Sequence, residues 1–302
     1  MIIKRAFYFR FLLVLAATAL FGRVSCGQEN EKIFIGEKFR IHSSVLGHER
    51  DILIHLPPGY NQSNASYPVI YVTDAEKSFL LVTTMYEIFP AGGIFPNAII
   101  VGIANRGEQE RYLDFAPLIK DRPGSGRAEL FIEFLRKELF PLIEQNYRTQ
   151  PFRILFGHSF LGMFACHVFM TQPELFNAYI ISSPDLRWIA DSLTAGNLKK
   201  MSKPTFLHVS NGSAENPSPE IKKFTDLLKS VDNLTYQYVV NQGEDHQSNG
   251  VFSIINGLRF VYSDWKLPKP PKDCTPSEIE EHYRKLSEKY GYEIPNPMQT
   301  GR

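Results

Sequence analysis

A serine between two apolar runs, Ser159, is a candidate for chemistry in this sequence. In ILFGHSFLG, residues 154–162, Gly157 breaks the first run and Ser159 follows it closely. A serine on a sharp strand-to-helix turn holds its hydroxyl above the carboxyl edge of a parallel sheet, and the next helix directs free N–H groups to the same place. This context, rather than the common Gly-x-Ser triplet, predicts that Ser159 is a nucleophile.

A serine hydroxyl needs a base to take its proton and an acid to orient that base. The sequence supplies both in the order Ser, acid, His. Glu215 follows the strand-like segment PTFLHVSNG, and His246 follows the next one, LTYQYVVNQ. Asp185 is an alternative acid, and His158 an alternative base that we expect to point into packing instead.

The other histidines do not indicate a metal site. His55 and His208 fall inside strand-like segments, and His167 falls inside an apolar helical run. His282 lies on a polar helix near the C-terminus, where we expect it to be exposed. None of these residues has metal-ligand spacing with supporting carboxylates, so we expect neither a metal nor an organic cofactor.

The elements around these residues alternate in type. Residues 37–57 read as two strands around a turn at 46–48, with no room for a helix. Beyond them, short apolar strands alternate with helical stretches, such as the amphipathic segment 128–147. This pattern predicts an α/β fold with a mostly parallel central sheet, helices on both faces and an antiparallel hairpin at one edge.

The first 27 residues are of a different kind. Basic residues precede the apolar run FLLVLAATALF, and small residues follow it, which is the order of a secretory signal peptide. We therefore expect an exported protein, either periplasmic or secreted, with a lipid anchor at Cys26 as the alternative. Removing this segment takes away four basic and no acidic residues and leaves 29 basic against 32 acidic ones. With no basic stripe, a nucleic-acid partner is not expected.

A change in composition near residue 266 divides the rest of the chain into two regions. We assign residues 28–266 to the main α/β domain and residues 267–302 to a proline-rich linker with a helical tail. A capping box at Ser277 and Glu280 opens the tail helix, which we expect to pack on the main domain or to dock something else. Cys166 lies in an apolar run and reads as a buried, inert thiol, although pairing with Cys274 is open.

Blocks spread over residues 37–290 resemble the α/β-hydrolase serine esterases, a group that includes esterase D-like and siderophore-ester hydrolases and relatives among feruloyl and acetyl-xylan esterases. The blocks that carry the resemblance are LPPGY, YPVIYVTDAEKSF, VGIANRGEQERYLDFAP, RPGSGRAELFIEFLRKELFPLIEQNYRT, GHSFLGMFACHVFMTQPELFNAYIISSPDLRW and GEDHQSNGVFSIINGLRFVY. The resemblance implies the α/β-hydrolase fold, with Ser159 as nucleophile, His246 as general base and acid, and Glu215 as the orienting acid.

The same resemblance implies an oxyanion hole and a site mouth. The backbone N–H of Phe160 would be one oxyanion donor, and that of Ala75 the other, with Glu76 as its alternative. Arg111 and Asp114 match a block near the mouth, where they would bind substrate or form a structural ion pair.

Two positions depart from the family pattern. Leu161 replaces the first glycine of G-H-S-x-G-G, and Ala75 replaces the glycine of an Asp-Gly pair. Crowding by Leu161 and lost backbone freedom at Ala75 are the expected consequences. Two functions are therefore predicted: an exported serine esterase acting on a small-molecule or polysaccharide-linked ester, or a catalytically silent hydrolase fold that binds a glycan or siderophore.

Overall fold

An eight-stranded sheet forms the centre of the protein in the computed structural model, which describes residues 34–118, 126–194, 196, 198 and 201–296. The predicted signal segment 1–27 and Cys26 lie outside the described residues. The strands, in chain order, are β1 Glu37–Ser43, β2 His48–His55, β3 Tyr67–Thr73, β4 Ile99–Ile103, β5 Thr149–His158, β6 Ala178–Ser182, β7 Thr205–Gly212 and β8 Leu234–Asn241.

The spatial order of the strands is β1-β2-β4-β3-β5-β6-β7-β8. β1 pairs antiparallel with β2, and β2 antiparallel with β4, while every other neighbouring pair is parallel. The predicted hairpin at the sheet edge is confirmed, with Gly47 at a φ of 71° in its turn. The parallel strands β5 to β8 end at one edge, where ligands of such sheets bind.

Helices cover both faces of the sheet. They are α1 Ala75–Ile88, α2 Glu108–Phe115, α3 Ala128–Phe134, α4 Phe140–Asn146, α5 Phe160–Thr171, α6 Glu220–Leu228, α7 Asn249–Val261 and α8 Pro276–Tyr290. A π-helical turn, Leu135–Leu139, joins α3 to α4, so the predicted helix 128–147 is interrupted. Pro141 lacks an N–H group and cannot donate to the preceding turn, which accounts for the altered hydrogen bonding there.

Each face of the sheet buries its own apolar cluster. On one face, the largely apolar α5 packs with α3 and α4 on the sheet, and its residues 160–170 are all buried. On the other, α1, α7 and α8 pack over residues such as Ile154 and Ile180. Because both faces are covered, the central strands are continuous apolar runs, as the sequence suggested.

The C-terminal helix α8 packs into the second cluster. Tyr290 is 3% exposed, donates to the Val261 carbonyl over 2.9 Å and meets Phe152 edge-on at 5.4 Å between ring centres. The capping box of α8 is formed by Thr275 and Glu278, two residues earlier than the predicted Ser277 and Glu280. Pro276 explains the difference, because proline is favoured at the first position of a helix.

The described part of the chain contains no helix long and apolar enough to span a membrane. Cys166 and Cys274 are free thiols. Cys166 is fully buried, and burial raises its pKa above the ordinary value, so it stays protonated. The open possibility that these two residues pair is therefore not realised.

Candidate active site

Ser159 occupies a strained turn between β5 and α5. Its φ of 59° and ψ of −119° are unfavourable for a residue with a side chain. The turn is fixed because the Ser159 N–H donates to the Ser182 carbonyl over 2.9 Å. A sharp turn that projects a serine above the sheet edge is the placement predicted from the sequence.

The loops that carry Glu215 and His246 are joined to each other. The Ala214 N–H donates to the Glu244 carbonyl over 3.0 Å, and the Ser213 N–H donates to the Asn241 carbonyl over 2.9 Å. A Cβ atom on Gly212 would lie 2.2 Å from the Glu244 carbonyl oxygen, so only glycine permits this approach. The end of β7 thereby brings Glu215 against the His246 loop.

Ser159, His246 and Glu215 form one chain of hydrogen bonds. Ser159 Oγ lies 2.9 Å from His246 Nε2, and His246 Nδ1 lies 2.8 Å from Glu215 Oε2. Since a carboxylate only accepts, Nδ1 carries the imidazole proton and Nε2 is left to accept from the serine hydroxyl. The arrangement can move a proton from the serine onto the histidine.

Glu215 is pinned by several donors. Its Oε1 accepts from Ser183 Oγ at 2.7 Å, from Asn211 Nδ2 at 3.1 Å and from the Gly212 N–H. Burial raises the pKa of the Glu215 carboxyl, but hydrogen bonds from Ser183, His246, Gly212 and Asn211 outweigh burial and hold the pKa below its ordinary value. The group facing His246 is therefore a carboxylate at neutral pH.

His158 does not serve as the base in this geometry. Its Nε2 lies 2.7 Å from the His246 carbonyl oxygen, which can only accept, so Nε2 donates. Burial lowers the pKa of His158, which favours the neutral ring. His158 thus ties the His246 loop to the end of β5, a contact that the sequence did not reveal because it depends on side-chain direction.

Asp185 is engaged elsewhere. Its carboxylate accepts from Arg187 Nε at 2.7 Å and Nη2 at 2.8 Å, and it also accepts from Trp188. Glu215 rather than Asp185 therefore faces His246.

The other histidines considered in the sequence, His55, His167, His208 and His282, are engaged in the fold. His55 Nδ1 donates to the Ile35 carbonyl, and His167 Nε2 lies 2.6 Å from Glu129. His208 is fully buried, and burial lowers its pKa to about 4. His282 is half-buried and bonded to the Trp265 carbonyl, so the expectation that it is exposed was wrong. Within the described ranges, no group of three or more His, Cys, Asp or Glu side chains is placed to hold a metal ion.

The two predicted oxyanion donors begin neighbouring helices. Phe160 is the first residue of α5 and Ala75 the first of α1, and such N–H groups have no acceptor within their helices. Val72 pairs with Phe156 in the parallel sheet, so both chain segments leave it side by side. The first turn of α1, which carries Ala75 and its alternative Glu76, therefore begins next to the turn that holds Ser159.

The structure places backbone constraints at different positions from those expected. The left-handed residue is Asp74, with a φ of 51°, and Ala75 is helical, so glycine freedom is not required at position 75. Leu161 is fully buried in the core. The close approaches occur at the glycines on either side: a Cβ on Gly157 would lie 2.2 Å from the Leu161 carbonyl oxygen, and one on Gly162 2.9 Å from that of Ser182. The expectation of lost backbone freedom at Ala75 was therefore wrong, whereas the effect of Leu161 on the turn stays a prediction.

Arg111 and Asp114 do not pair with each other. Arg111 binds the Asp74 carboxylate, while Asp114, fully buried, accepts from Arg50. The Arg111 guanidinium also lies 5.3 Å from the centre of the Phe160 ring. Contact of Arg111 or Asp114 with substrate stays a prediction.

A cavity of about 570 Å³ opens over the hydrogen-bonded chain. Besides Ser159, Glu215 and His246, its walls include Pro184, Arg187 and Pro217. Beside the nucleophile, the Phe160 ring packs against Tyr112 and Trp188 at 4.7 and 5.0 Å between centres. A volume in this range admits a small organic molecule.

Three known proteins resemble this chain in different ways. It is 31% identical over 186 residues to the ferri-bacillibactin esterase BesA of Bacillus subtilis, a match that covers 55% of this chain and 64% of the relative, just under two thirds. It is 27% identical over 246 residues to the siderophore triacetylfusarinine C esterase of Aspergillus fumigatus, covering 66% and 82% of the two chains. The crystal structure of an IroE-like serine hydrolase from Shewanella oneidensis superposes with a TM-score of 0.74 at 26% identity, covering 87% and 90%.

Fold, site and relatives define the class: a serine hydrolase of the α/β-hydrolase fold that acts on ester bonds. A family model described as "Putative esterase" matches residues 43–249, which is more than half of the chain. The chain belongs to that family.

Proposed function

We propose that this protein is an exported esterase that hydrolyses siderophore esters through Ser159, His246 and Glu215. The observation that carries the proposal is the unbroken hydrogen-bonded chain from Ser159 Oγ to the Glu215 carboxylate, open to a cavity at the carboxyl edge of the sheet. Nucleophile, base and orienting acid meet the three-role geometry of covalent catalysis.

In the acylation step, Ser159 Oγ attacks the ester carbonyl carbon while His246 Nε2 takes the hydroxyl proton. The Glu215 carboxylate stabilises the resulting imidazolium. Negative charge develops on the carbonyl oxygen, and the N–H groups of Phe160 and Ala75 are the donors proposed to receive it. The carbon–oxygen bond to the alcohol then breaks, and His246 returns its proton to the departing alcohol oxygen.

Deacylation repeats these steps with water. His246 Nε2 removes a proton from a water molecule, whose oxygen attacks the acyl carbon on Ser159. The bond to Ser159 Oγ breaks, and the proton on His246 passes to that oxygen, which regenerates the hydroxyl. The carboxylic acid leaves, and the net reaction is ester plus water to acid plus alcohol.

The relatives' names and the cavity favour a siderophore ester over a polysaccharide-linked one. BesA and the Aspergillus esterase are named for ferri-bacillibactin and triacetylfusarinine C. The cavity volume suits a small molecule.

Export is a further part of the proposal, supported by the basic and apolar pattern of residues 1–27. Mass spectrometry of the mature chain from the exported fraction tests it. A chain that begins near residue 28 is expected, and a chain acylated at Cys26 would instead establish the lipid anchor. Full-length protein confined to the cytosol would contradict export.

The catalytic proposal is tested by incubating the purified protein with ferri-bacillibactin, triacetylfusarinine C, methyl ferulate and p-nitrophenyl acetate, with products identified by mass spectrometry. Siderophore cleavage at the highest kcat/KM, lost in Ser159→Ala, is the expected result. Equal cleavage by wild type and Ser159→Ala would overturn the mechanism, and a preference for methyl ferulate would overturn the substrate assignment.

A further inference from the structure

A buried polar network lies behind Glu215. The Ser183 hydroxyl donates to Glu215 Oε1 over 2.7 Å, and Asn249 Nδ2 donates to the oxygen of that same hydroxyl over 2.8 Å. Asn249 is fully buried at the start of α7, and its Oδ1 accepts from Asn241 Nδ2 at 2.6 Å. The network therefore continues the hydrogen-bonded chain of Ser159, His246 and Glu215 into the protein interior.

The direction of each hydrogen bond is fixed. The Ser183 hydroxyl has one proton, and the carboxylate of Glu215 can only accept it. The neighbouring amide of Asn249 presents its N–H side to Ser183, so the Ser183 oxygen is used as an acceptor and its proton is left for Glu215. Because Asn241 donates to Asn249 Oδ1, the amide is held in the orientation that presents that N–H side.

We propose that Ser183 and Asn249 are positioning residues that hold the Glu215 carboxylate in line with His246, an inference that rests on the proposed function. In the described structure neither side chain hydrogen-bonds to Ser159 or His246, although Ser183 lies on the cavity wall. They act through Glu215, whose orientation sets the tautomer and position of the His246 ring.

The chemistry of a glutamate explains why such a device is useful. Its side chain has one more rotatable bond than aspartate, so the carboxylate must be fixed at more than one point to keep one oxygen on the histidine. Ser183, Asn211 and Gly212 all bind Oε1, which leaves Oε2 for His246. Of these three donors, only Ser183 follows β6, which lies on the far side of β7 from the His246 loop.

The backbone at Ser183 supports the same assignment. Its φ is 45°, an unfavourable left-handed value for a residue with a Cβ atom, and its N–H donates to the Ser210 carbonyl over 2.7 Å. Strain of this kind persists where surrounding contacts over-determine it, as at Asp74 and Ser159 in the same site. The conformation directs the Ser183 hydroxyl at Glu215.

Ser182 offers a matched control. It is also fully buried, and its hydroxyl oxygen lies 3.0 Å from the same Asn249 Nδ2, but it makes no hydrogen bond to Glu215 in the described structure. Ser182→Ala and Ser183→Ala therefore remove the same group from the same network. Only Ser183→Ala removes a donor from the acid.

The experiment compares these two variants by steady-state kinetics over a pH range on the ester that wild type cleaves fastest. Ser183→Ala is expected to lower kcat about tenfold with little change in KM, because a misplaced acid affects the proton transfer and not ground-state binding. The hydrogen bond from Ser183 helps to hold the pKa of Glu215 below its ordinary value, so its loss should raise that pKa and protonate the acid at higher pH. The acid limb of the kcat profile is therefore expected to move to higher pH.

The kcat of Ser182→Ala is expected to stay within twofold of the wild-type value, and the acid limb of its kcat profile should not move. His158, Asp245 and Tyr238 are ionisable groups that interact with His246 or Glu215. In the described structure none of them hydrogen-bonds to the Ser182 or Ser183 hydroxyl. Equal effects of the two substitutions, or kcat and acid limb unchanged in Ser183→Ala, would overturn the proposal. If wild type cleaves no ester, the proposed function fails before this comparison begins.

Two further variants separate the hydroxyl from the backbone. Ser183→Gly relieves the positive φ but also lacks the donor, so it should be as slow as Ser183→Ala, and recovery of wild-type kcat would assign the effect to strain instead. Asn249→Asp keeps the shape but accepts where the amide donates, which draws the Ser183 proton away from Glu215. It should lose more kcat than Ser183→Ala, and a folded Asn249→Asp with wild-type kcat would contradict the proposal.

Discussion

Arg111 donates two hydrogen bonds to the carboxylate of Asp74, from Nε at 2.7 Å and from Nη2 at 2.6 Å. Asp74 precedes Ala75, one proposed oxyanion donor, and the Arg111 guanidinium lies against the ring of Phe160, the other. One side chain therefore contacts both segments from which the oxyanion hole would be built.

Replacing Arg111 by lysine tests that relationship. A lysine ammonium cannot form the two-pronged contact with Asp74, so Arg111→Lys is expected to lower kcat about tenfold and leave KM nearly unchanged. Steady-state kinetics check this, with Arg187→Lys as the control on the cavity wall, where KM should respond instead. A rise in KM alone for Arg111→Lys would favour direct substrate binding by Arg111.

Glu215 and Asp185 are rival acids that substitution distinguishes. Glu215→Gln removes the charge that stabilises the His246 imidazolium, and kcat is expected to fall about 10³-fold. Asp185→Asn should change kcat by no more than about threefold, because Asp185 binds Arg187 and Trp188 and not His246. The kcat ratio of the two variants is the measurement, and a larger loss in Asp185→Asn would reverse the assignment.

Leu161 lies in the core. We predict that it does not impair the turn that holds Ser159. Leu161→Ala should destabilise the fold by about 3 kcal/mol through cavity formation, while Leu161→Met should cost less than about 1.5 kcal/mol. Urea denaturation of the two variants gives both values. A Leu161→Gly variant with higher kcat than wild type would show that the leucine does impair the site.

The depressed pKa of Glu215 makes a prediction about acid stability. Because the folded-state pKa lies below the ordinary value of 4.5, Glu215 contributes stability above that pH, and the contribution is lost as the pH falls through the folded-state value. Glu215→Gln should therefore lose less of its melting temperature than wild type between pH 5 and about pH 3. Parallel acid dependence in both proteins would show that the carboxyl is not stabilised by folding.

Sequence reasoning reached the residues that follow strands. Ser159, Glu215 and His246 could be placed at one edge because parallel strands end together, and hydrophobic runs mark those strands well. The same argument does not fix side-chain direction, which is why it left Asp185 open as the acid. In the structure Asp185 points to its own neighbour, Arg187.

Contacts between distant segments lay beyond the sequence. Ser183 and Asn249 are separated by 66 positions, and the bond from His158 to the His246 carbonyl spans 88. Nothing local distinguishes these residues from ordinary turn and helix residues. The tail helix shows a smaller limit of the same kind, since Thr275 and Ser277 both fit a capping pattern and Pro276 decides between them.

The most direct test of the central claim, that Ser159 is an activated nucleophile, is labelling of the purified mature protein with a fluorophosphonate probe, with Ser159→Ala as the matched control. The account predicts rapid, stoichiometric labelling that maps to Ser159 and is absent from the variant. A folded wild-type protein that takes up no label, or labelling that persists in Ser159→Ala, would contradict it.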